Sequence, residues 1–191
     1  DGARRAHMEA LLHRIKMEYE FFAGVNGREL TDAERKRDYD ERKAMRTQCR
    51  ALVSSEIGCA LSHLAVYREM IRRDLPRALV LEDDVVADER LPEVLGAIKT
   101  LPVMSAPSVV LLSPAEGQRG EERLLAKGVS LSAYRSGFYT HAYVLTLAAA
   151  RALLKALYPV GDVADCWRRM QKHRVVDLYV VEPPVVLQNQ V

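Results

Sequence analysis

The stretch ALVLEDDV, residues 78–85, places four apolar residues directly before the consecutive carboxylates Glu82, Asp83 and Asp84. The apolar part predicts a buried strand over Arg77–Leu81. Side chains alternate along an extended chain, so Glu82 and Asp84 are expected to point to the same side. Adjacent carboxylates repel one another, and partial burial would favour either protonation or a bound cation. The strand end is therefore a site for Mg²⁺ or Mn²⁺ or an exposed acidic turn, and the local pattern leaves both open.

The flanking segments predict an α/β fold in which strands and helices alternate. Strands rich in Val and Leu with helices between them favour a Rossmann-like, mostly parallel central sheet flanked by helices. Ligands of such sheets bind beyond the carboxyl ends of the strands, which is where the acidic triplet would lie. The pattern predicts helices over 3–17, 56–73, 91–100, 147–157 and 162–173, strands over 19–23, 77–81, 108–112, 138–146 and 175–181, and a loop over 115–128.

Residues 28–50 differ from the rest of the chain because they hold eight Lys/Arg and six Asp/Glu with little apolar periodicity. This composition predicts an exposed excursion, and a solvated helix with salt bridges fits equally well. Apart from that stretch, the 191 residues are expected to form a single domain over 1–191.

Composition excludes several classes of protein. The net charge of +2 gives no argument for nucleic acid, and an aromatic content of 6% argues against a base-stacking surface. Cys49, Cys59 and Cys166 are odd in number and widely spaced, which excludes a disulfide framework and a CxxC motif and favours a reducing compartment. No apolar run reaches the roughly 18–20 residues of a spanning helix.

The predicted helix 56–73 carries a second polar cluster, in which Glu56, Cys59 and His63 fall near one face. Cys59 and His63 are four residues apart, a spacing found in zinc sites. The segment offers only these two good ligands, and the soft sulfur disagrees with a hard metal at the acids. The pattern therefore favours a hydrogen-bonded buried histidine, or a His63 that reaches the pocket beside the triplet.

Four further polar residues are candidates for a site. Asp165 could accept a proton from a substrate hydroxyl or could cap a helix, and Asp162 competes with it for either role. His141 and Tyr143 alternate along a strand-like segment and share a face, so they could line a site or simply pack.

Several of these segments together resemble glycosyltransferase family 25, the lipopolysaccharide or lipooligosaccharide galactosyltransferase-like proteins. The resemblance rests on SSEIGCALSHLAVYREMI, RALVLEDDVV and SGFYTHAYVLTLAAARALL, with weaker likeness in the opening helix and in DLYVVEPPVVLQNQ. Either EIGC-LSH or LEDD alone would be weak, and their combination is fairly specific.

The resemblance implies a GT-A-like fold and an inverting, metal-dependent transfer of a sugar, typically galactose, from a UDP-sugar to a saccharide or glycolipid acceptor. It assigns Mn²⁺ or Mg²⁺ to the acidic motif, with Asp84 the first candidate ligand and Glu82 or Asp83 the second. It assigns the donor to Glu56, Ser62 and His63, and the acceptor-side base to Asp165. His141, Tyr143 and Gln188 are expected to line the substrate site.

Further expectations follow from the resemblance. It implies a cytoplasmic location at the inner face of the bacterial inner membrane, where the basic residues of 28–50 could touch anionic lipid. A first strand that normally begins the nucleotide site is expected upstream and is missing here. Two rivals stay open: a non-catalytic Mg²⁺-binding module like a receiver domain, and a glycosyltransferase-like protein without activity.

Overall fold

A six-stranded sheet with helices on both faces forms the centre of the structure, a computed structural model that describes residues 2–115, 117, 119–126, 128–134 and 140–189. The helices are α1 (Gly2–Arg14), α2 (Asp32–Asp38), α3 (Glu41–Gln48), α4 (Ser54–Arg72), α5 (Leu91–Lys99), α6 (Leu147–Leu157) and α7 (Trp167–Lys172), with a 3₁₀ turn at Pro102–Ser105. The strands are β1 (Arg77–Leu81), β2 (Val85–Ala87), β3 (Ser108–Leu111), β4 (Arg119–Ala126), β5 (Val129–Tyr134), β6 (Ala142–Thr146), β7 (Asp177–Glu182) and β8 (Val186–Gln188).

The large sheet is mostly antiparallel, so the prediction of a mostly parallel sheet was wrong. Its strand order is β1-β6-β3-β7-β5-β4, and only β3 and β7 pair in parallel. Strands β1, β3, β4 and β7 nevertheless run in one direction, with β6 and β5 inserted between them in the opposite one. The carboxyl ends of β1 and β3 therefore still share an edge of the sheet, and the start of β6 lies between them.

Both faces of the sheet are covered, which explains the continuous apolar runs of its strands. Along β6, Tyr143 and Leu145 pack against the side of α4, α6 and α7, whereas Ala142 and Val144 pack against the side of α1 and α5. Strand β3 alternates in the same way. Burial on two faces removes the polar alternation of a half-exposed strand whichever way the neighbours run, so the pattern could not report direction.

Residues 28–50 contain α2 and α3 instead of an excursion, so the helical alternative is the one found. Thr31 caps α2 in a capping box with Glu34, and the Asp40 side chain caps α3. The Lys43 ammonium donates hydrogen bonds to three carbonyls at the C-terminal end of α6, those of Ala156, Leu157 and Pro159. This cation compensates the negative end of the α6 dipole and fastens α3 to the core.

Two other local predictions were wrong. Residues 119–126 and 129–134 form the antiparallel pair β4 and β5, where a loop was expected over 115–128, because the polar sequence RGEERLLA belongs to an exposed edge strand. Tyr19–Ala23 was expected to be a strand but is an irregular exposed segment. Residues 138 and 139, the start of the strand predicted over 138–146, lie outside the described residues, and β6 begins at Ala142.

Two features of the fold position the acidic triplet. Strand β1 lies at the edge of the large sheet, and no described strand pairs with its outer side. Directly after it the chain turns into β2, which pairs with β8 in a small antiparallel sheet. Within the described part of the chain, no helix combines the length and the apolar character needed to cross a bilayer.

Candidate active site

The three carboxylates after β1 point to three different neighbours. Glu82 faces Thr140 and His141 at the start of β6. Asp83 is turned away and lies 2.9 Å from the Arg4 guanidinium of α1, where both side chains are about half exposed. The Asp84 carboxylate accepts a hydrogen bond of 3.0 Å from Gln188 of β8. The alternation expected from the sequence thus separates the charges and leaves Glu82 and Asp84 on one side.

Of the three acids, Glu82 has the largest number of neighbouring hydrogen-bonding groups. Its backbone N–H extends the pairing of β1 and β6 by donating to the His141 carbonyl at 2.9 Å. The Thr140 hydroxyl donates to Oε1 at 2.6 Å, His63 Nε2 lies 3.5 Å from Oε1, and His141 Nδ1 lies 3.4 Å from Oε2. Burial alone would raise the pKa of Glu82, but the hydrogen bonds of His63 and Thr140 and the two nearby imidazoles outweigh it and lower the pKa to about 2.

Glu82, Asp84 and His141 each present a ligand atom, and these atoms lie within 4.8 Å of one another. Asp84 Oδ1 is buried and has no hydrogen-bond partner among the described residues. Burying a carboxylate oxygen without a hydrogen-bond donor raises the free energy of the folded state, and a bound cation would offset that penalty. Two carboxylates and one imidazole suit Mn²⁺ better than Mg²⁺, which prefers oxygen alone. These residues therefore fit a divalent metal, with His141 in place of Asp83.

A buried chain of hydrogen bonds holds His63 in place behind Glu82. His63 is 7% exposed, and its Nδ1 lies 2.7 Å from the Tyr143 hydroxyl, which in turn lies 3.1 Å from that of Tyr67. The Tyr143 ring contacts Trp167 edge to face. Tyr143 was expected to line the substrate site, but it is fully buried and reaches the site only through His63.

The other residues of EIGC-LSH have structural partners. Glu56 accepts a hydrogen bond from the backbone N–H of Val53 at the start of α4 and pairs with the Arg50 guanidinium at 2.6 Å. The Ser62 hydroxyl donates to the Gly58 carbonyl and accepts from the Val25 N–H, both at 2.8 Å. Ser62 therefore fastens residues 24–27 onto α4. The donor-binding roles of Glu56 and Ser62 stay predictions.

The two aspartates of GDVAD, Asp162 and Asp165, differ in burial and in their partners. Asp162 is 4% exposed, accepts a hydrogen bond from Gln48 and forms an ion pair of 2.8 Å with Arg169. Its role is to hold the loop before α7 against α3. Asp165 is half-buried. Burial is the main cause of the raised pKa of the Cys59 thiol, and the charges of Glu82 and Asp165 add to it. Asp162 lines a small cavity beside α4 together with Ala60 and His63.

A cleft of about 930 Å³ opens beside β1. Its lining includes Cys59, Ser62 and His63 of α4, residues of α1, residues 17–22 and the acidic triplet, and Asp165 is not among the residues that line it. Clefts of this size accommodate drug-sized ligands. Thr140 is the site residue that sequence reasoning missed; the only signal was its place beside His141 in THAY.

A family model described as glycosyltransferase family 25 (LPS biosynthesis protein) matches residues 1–168. The chain belongs to glycosyltransferase family 25. The resemblance carried by EIGC-LSH and LEDD is therefore confirmed, and the candidate site of this family 25 chain lies where β1, β6 and β8 meet.

Relatives of this family 25 chain are found in animals. A glycosyltransferase 25 family member of Drosophila pseudoobscura pseudoobscura is 31% identical over 83% of the chain and 27% of its own length. Procollagen galactosyltransferase 2 of Mus musculus is 35% identical over 43% of the chain and 14% of its length. Inactive glycosyltransferase 25 family member 3 of Homo sapiens is 36% identical over 55% and 18%. The chain thus spans about a quarter or less of these relatives.

Proposed function

We propose that this chain is a metal-dependent, inverting glycosyltransferase that moves a hexose, galactose in the first instance, from a UDP-sugar to a glycan hydroxyl. The observation that carries the proposal is that Glu82, Asp84 and His141 bring ligand atoms within 4.8 Å of one another. In addition, Asp84 Oδ1 is buried without a hydrogen-bond donor among the described residues. Galactose is chosen because the name of one relative specifies galactosyl transfer. The family description favours a lipopolysaccharide-type glycan as acceptor.

Glu82, Asp84 and His141 would hold Mn²⁺ or Mg²⁺ at the end of the cleft. A cation bound there supplies positive charge to the diphosphate that leaves with its bonding electrons. The protein contributes rigidity, because Thr140 and His63 fix Glu82 and Gln188 fixes Asp84. Ligands held in this way need little rearrangement when a donor enters.

Asp165 is our proposed base on the acceptor side. In the reaction the acceptor oxygen bonds to the anomeric carbon as the bond from that carbon to the UDP oxygen breaks, and the hydroxyl proton passes to the Asp165 carboxylate. Its partial exposure supports this role, because the acceptor hydroxyl must reach the base. Asp162 is buried, accepts a hydrogen bond from Gln48 and forms an ion pair with Arg169, so it is not proposed as the base.

The proposal is tested by thermal unfolding and by donor hydrolysis. UDP with Mn²⁺ should raise the melting temperature, whereas acetyl phosphate with Mg²⁺, a probe for a receiver-like module, should not. Slow metal-dependent release of galactose from UDP-galactose then separates an active enzyme from an inactive relative, such as the human protein named inactive. Stabilisation by UDP and Mn²⁺ without any hydrolysis or transfer would favour the inactive alternative.

A further inference from the structure

A second set of metal-ligating side chains lies on the opposite side of Glu82. Cys59, His63 and Glu82 each offer a ligand atom, and the sulfur, the imidazole nitrogen and the carboxylate oxygen lie within 4.8 Å of one another. The spacing of Cys59 and His63 in α4 gives two ligands on one helix face, as the sequence suggested. The third comes from the end of β1 and could not be found by spacing.

The imidazole of His63 is prepared for this role by its buried partner. Its Nδ1 lies 2.7 Å from the Tyr143 hydroxyl, so Nε2 is the atom directed at Glu82. Metal-binding histidines commonly have their second ring nitrogen held by such a hydrogen bond, which fixes the ring orientation and the tautomer. Tyr143 is therefore a positioning residue, which orients the His63 ring.

The chemistry of this set differs from that of the first. A thiolate, an imidazole and a carboxylate suit Zn²⁺ or another thiophilic cation, whereas Glu82, Asp84 and His141 suit a harder one. Cys59 is a free thiol at the exposed surface of α4 and lines the cleft. A cation can therefore reach it from solvent, with a fourth position left for water.

We propose that Cys59, His63 and Glu82 form a binding site for Zn²⁺ that shares Glu82 with the harder metal site. Oε1 of Glu82 faces His63 while Oε2 faces His141, so one carboxylate connects the two sets. Two cations held by one carboxylate would repel each other, so Zn²⁺ bound at Cys59 should lower the affinity of the other site for Mn²⁺. Binding of Zn²⁺ is independent of the proposed function; only the competition rests on it.

Cadmium titration of the full chain tests the site directly, since a thiolate bound to Cd²⁺ gives a charge-transfer band in the ultraviolet. One equivalent of Cd²⁺ should produce the band in the wild type and in Cys49→Ser, whose thiol is exposed on another helix end. Cys59→Ser should abolish it, and His63→Gln should weaken Cd²⁺ binding by about tenfold or more. Absence of the band in the wild type, or its persistence in Cys59→Ser, overturns the proposal.

Competition is measured separately, by the electron paramagnetic resonance signal of free Mn²⁺. Zn²⁺ should release Mn²⁺ from the wild type at a lower concentration than from Cys59→Ser, in which Zn²⁺ can act only by direct exchange at the Mn²⁺ ligands. Release at the same concentration from both would refute the shared carboxylate. If Mn²⁺ does not bind at all while the cadmium band is present, the proposed function fails and the thiolate site stands. Because Cys59 is on the surface, near-ultraviolet circular dichroism should show an unchanged fold in Cys59→Ser.

Discussion

The side chain of Gln188 donates a hydrogen bond to Asp84 Oδ2 at 3.0 Å across 104 residues of sequence. The backbone N–H of Asn189 also donates to the Asp84 backbone carbonyl, so the end of the chain around β8 holds both the side chain and the backbone of Asp84. Gln188 was expected to line the substrate site, and the structure places it behind a candidate metal ligand. Its contribution is therefore to orient Asp84.

Gln188→Ala should lower the affinity for Mn²⁺ by about tenfold, because Asp84 would lose the donor that fixes its orientation. Isothermal titration with Mn²⁺ measures the change. Leu187→Ala is the matched control, since Leu187 is 47% exposed on the same strand. Equal affinities in Gln188→Ala and the wild type would show that Asp84 needs no such support.

Asp84→Asn and Asp83→Asn test which of these adjacent acids is a metal ligand and which forms only a surface ion pair. Asp84→Asn should reduce transfer from UDP-galactose by about a hundredfold or more, because the charge at the diphosphate is lost. Asp83→Asn should keep most of the activity, since Asp83 forms only an exposed ion pair with Arg4, worth about 0–1 kcal/mol. The reverse order of effects in a transfer assay would contradict the assignment of Asp84.

Asp165→Asn should lower kcat by about 10²–10⁴-fold at saturating acceptor while UDP and Mn²⁺ still stabilise the protein, because only proton removal is affected. Asp162→Asn should behave differently. It breaks a buried ion pair and should cost about 3 kcal/mol of unfolding free energy, with turnover per folded molecule retained. Unchanged turnover in Asp165→Asn would remove it as the base.

The local pattern located most elements of the fold. Arg77–Leu81 and Leu147–Leu157 were predicted with the bounds that β1 and α6 have, because Pro76 and the change of periodicity mark their ends. Strand direction, by contrast, depends on pairing between segments 60 to 70 residues apart, as with Leu81 and Ala142. A strand that is apolar on both faces has the same sequence pattern whichever way its neighbours run, so the sequence does not indicate strand direction.

In the candidate site, too, the sequence predicted local neighbours but not contacts between distant segments. Alternation correctly placed Glu82 and Asp84 together, and helical spacing placed Cys59 and His63 together. His141 as a partner of Glu82 required the antiparallel pairing of β1 with β6, whereas a mostly parallel sheet was expected. For Tyr143 the sequence left open whether it lines a site or packs, because an aromatic residue in a strand can face either an open site or the core, and the structure shows packing.

Gly58→Ala should destabilise the protein by about 1–3 kcal/mol because residues 25–27 lie directly on α4 at this point. A Cβ on Gly58 would come within 2.6 Å of the Gly27 nitrogen and of the Val25 carbonyl oxygen. Gly96→Ala in α5 is the matched control, with nothing within 4 Å of the new methyl group, and should stabilise by about 0.5–1 kcal/mol. Urea unfolding of both variants measures the contrast, and similar changes of one sign would disprove the close contact.

Asp38 should make the stability of the fold depend on pH. The Arg37 guanidinium, together with a 2.8 Å hydrogen bond from the Tyr158 hydroxyl, holds the pKa of Asp38 below its ordinary value of 3.8. A carboxylate with a lowered folded-state pKa stabilises the protein fully above the unfolded pKa, and this contribution is lost as pH falls through the folded one. Asp38→Asn should therefore lower the unfolding free energy by about 1–2 kcal/mol at neutral pH.

The difference between the wild type and Asp38→Asn should shrink as the pH falls below 3.8, the ordinary pKa of the carboxyl, and through its lowered folded-state pKa. Urea unfolding across this range measures it. Tyr158→Phe removes the same hydrogen bond but keeps the Asp38 carboxylate, so combining it with Asp38→Asn should cost less than the sum of the two single changes. A difference that stays constant with pH, or fully additive effects, would mean that Asp38 does not connect α2 to the segment after α6.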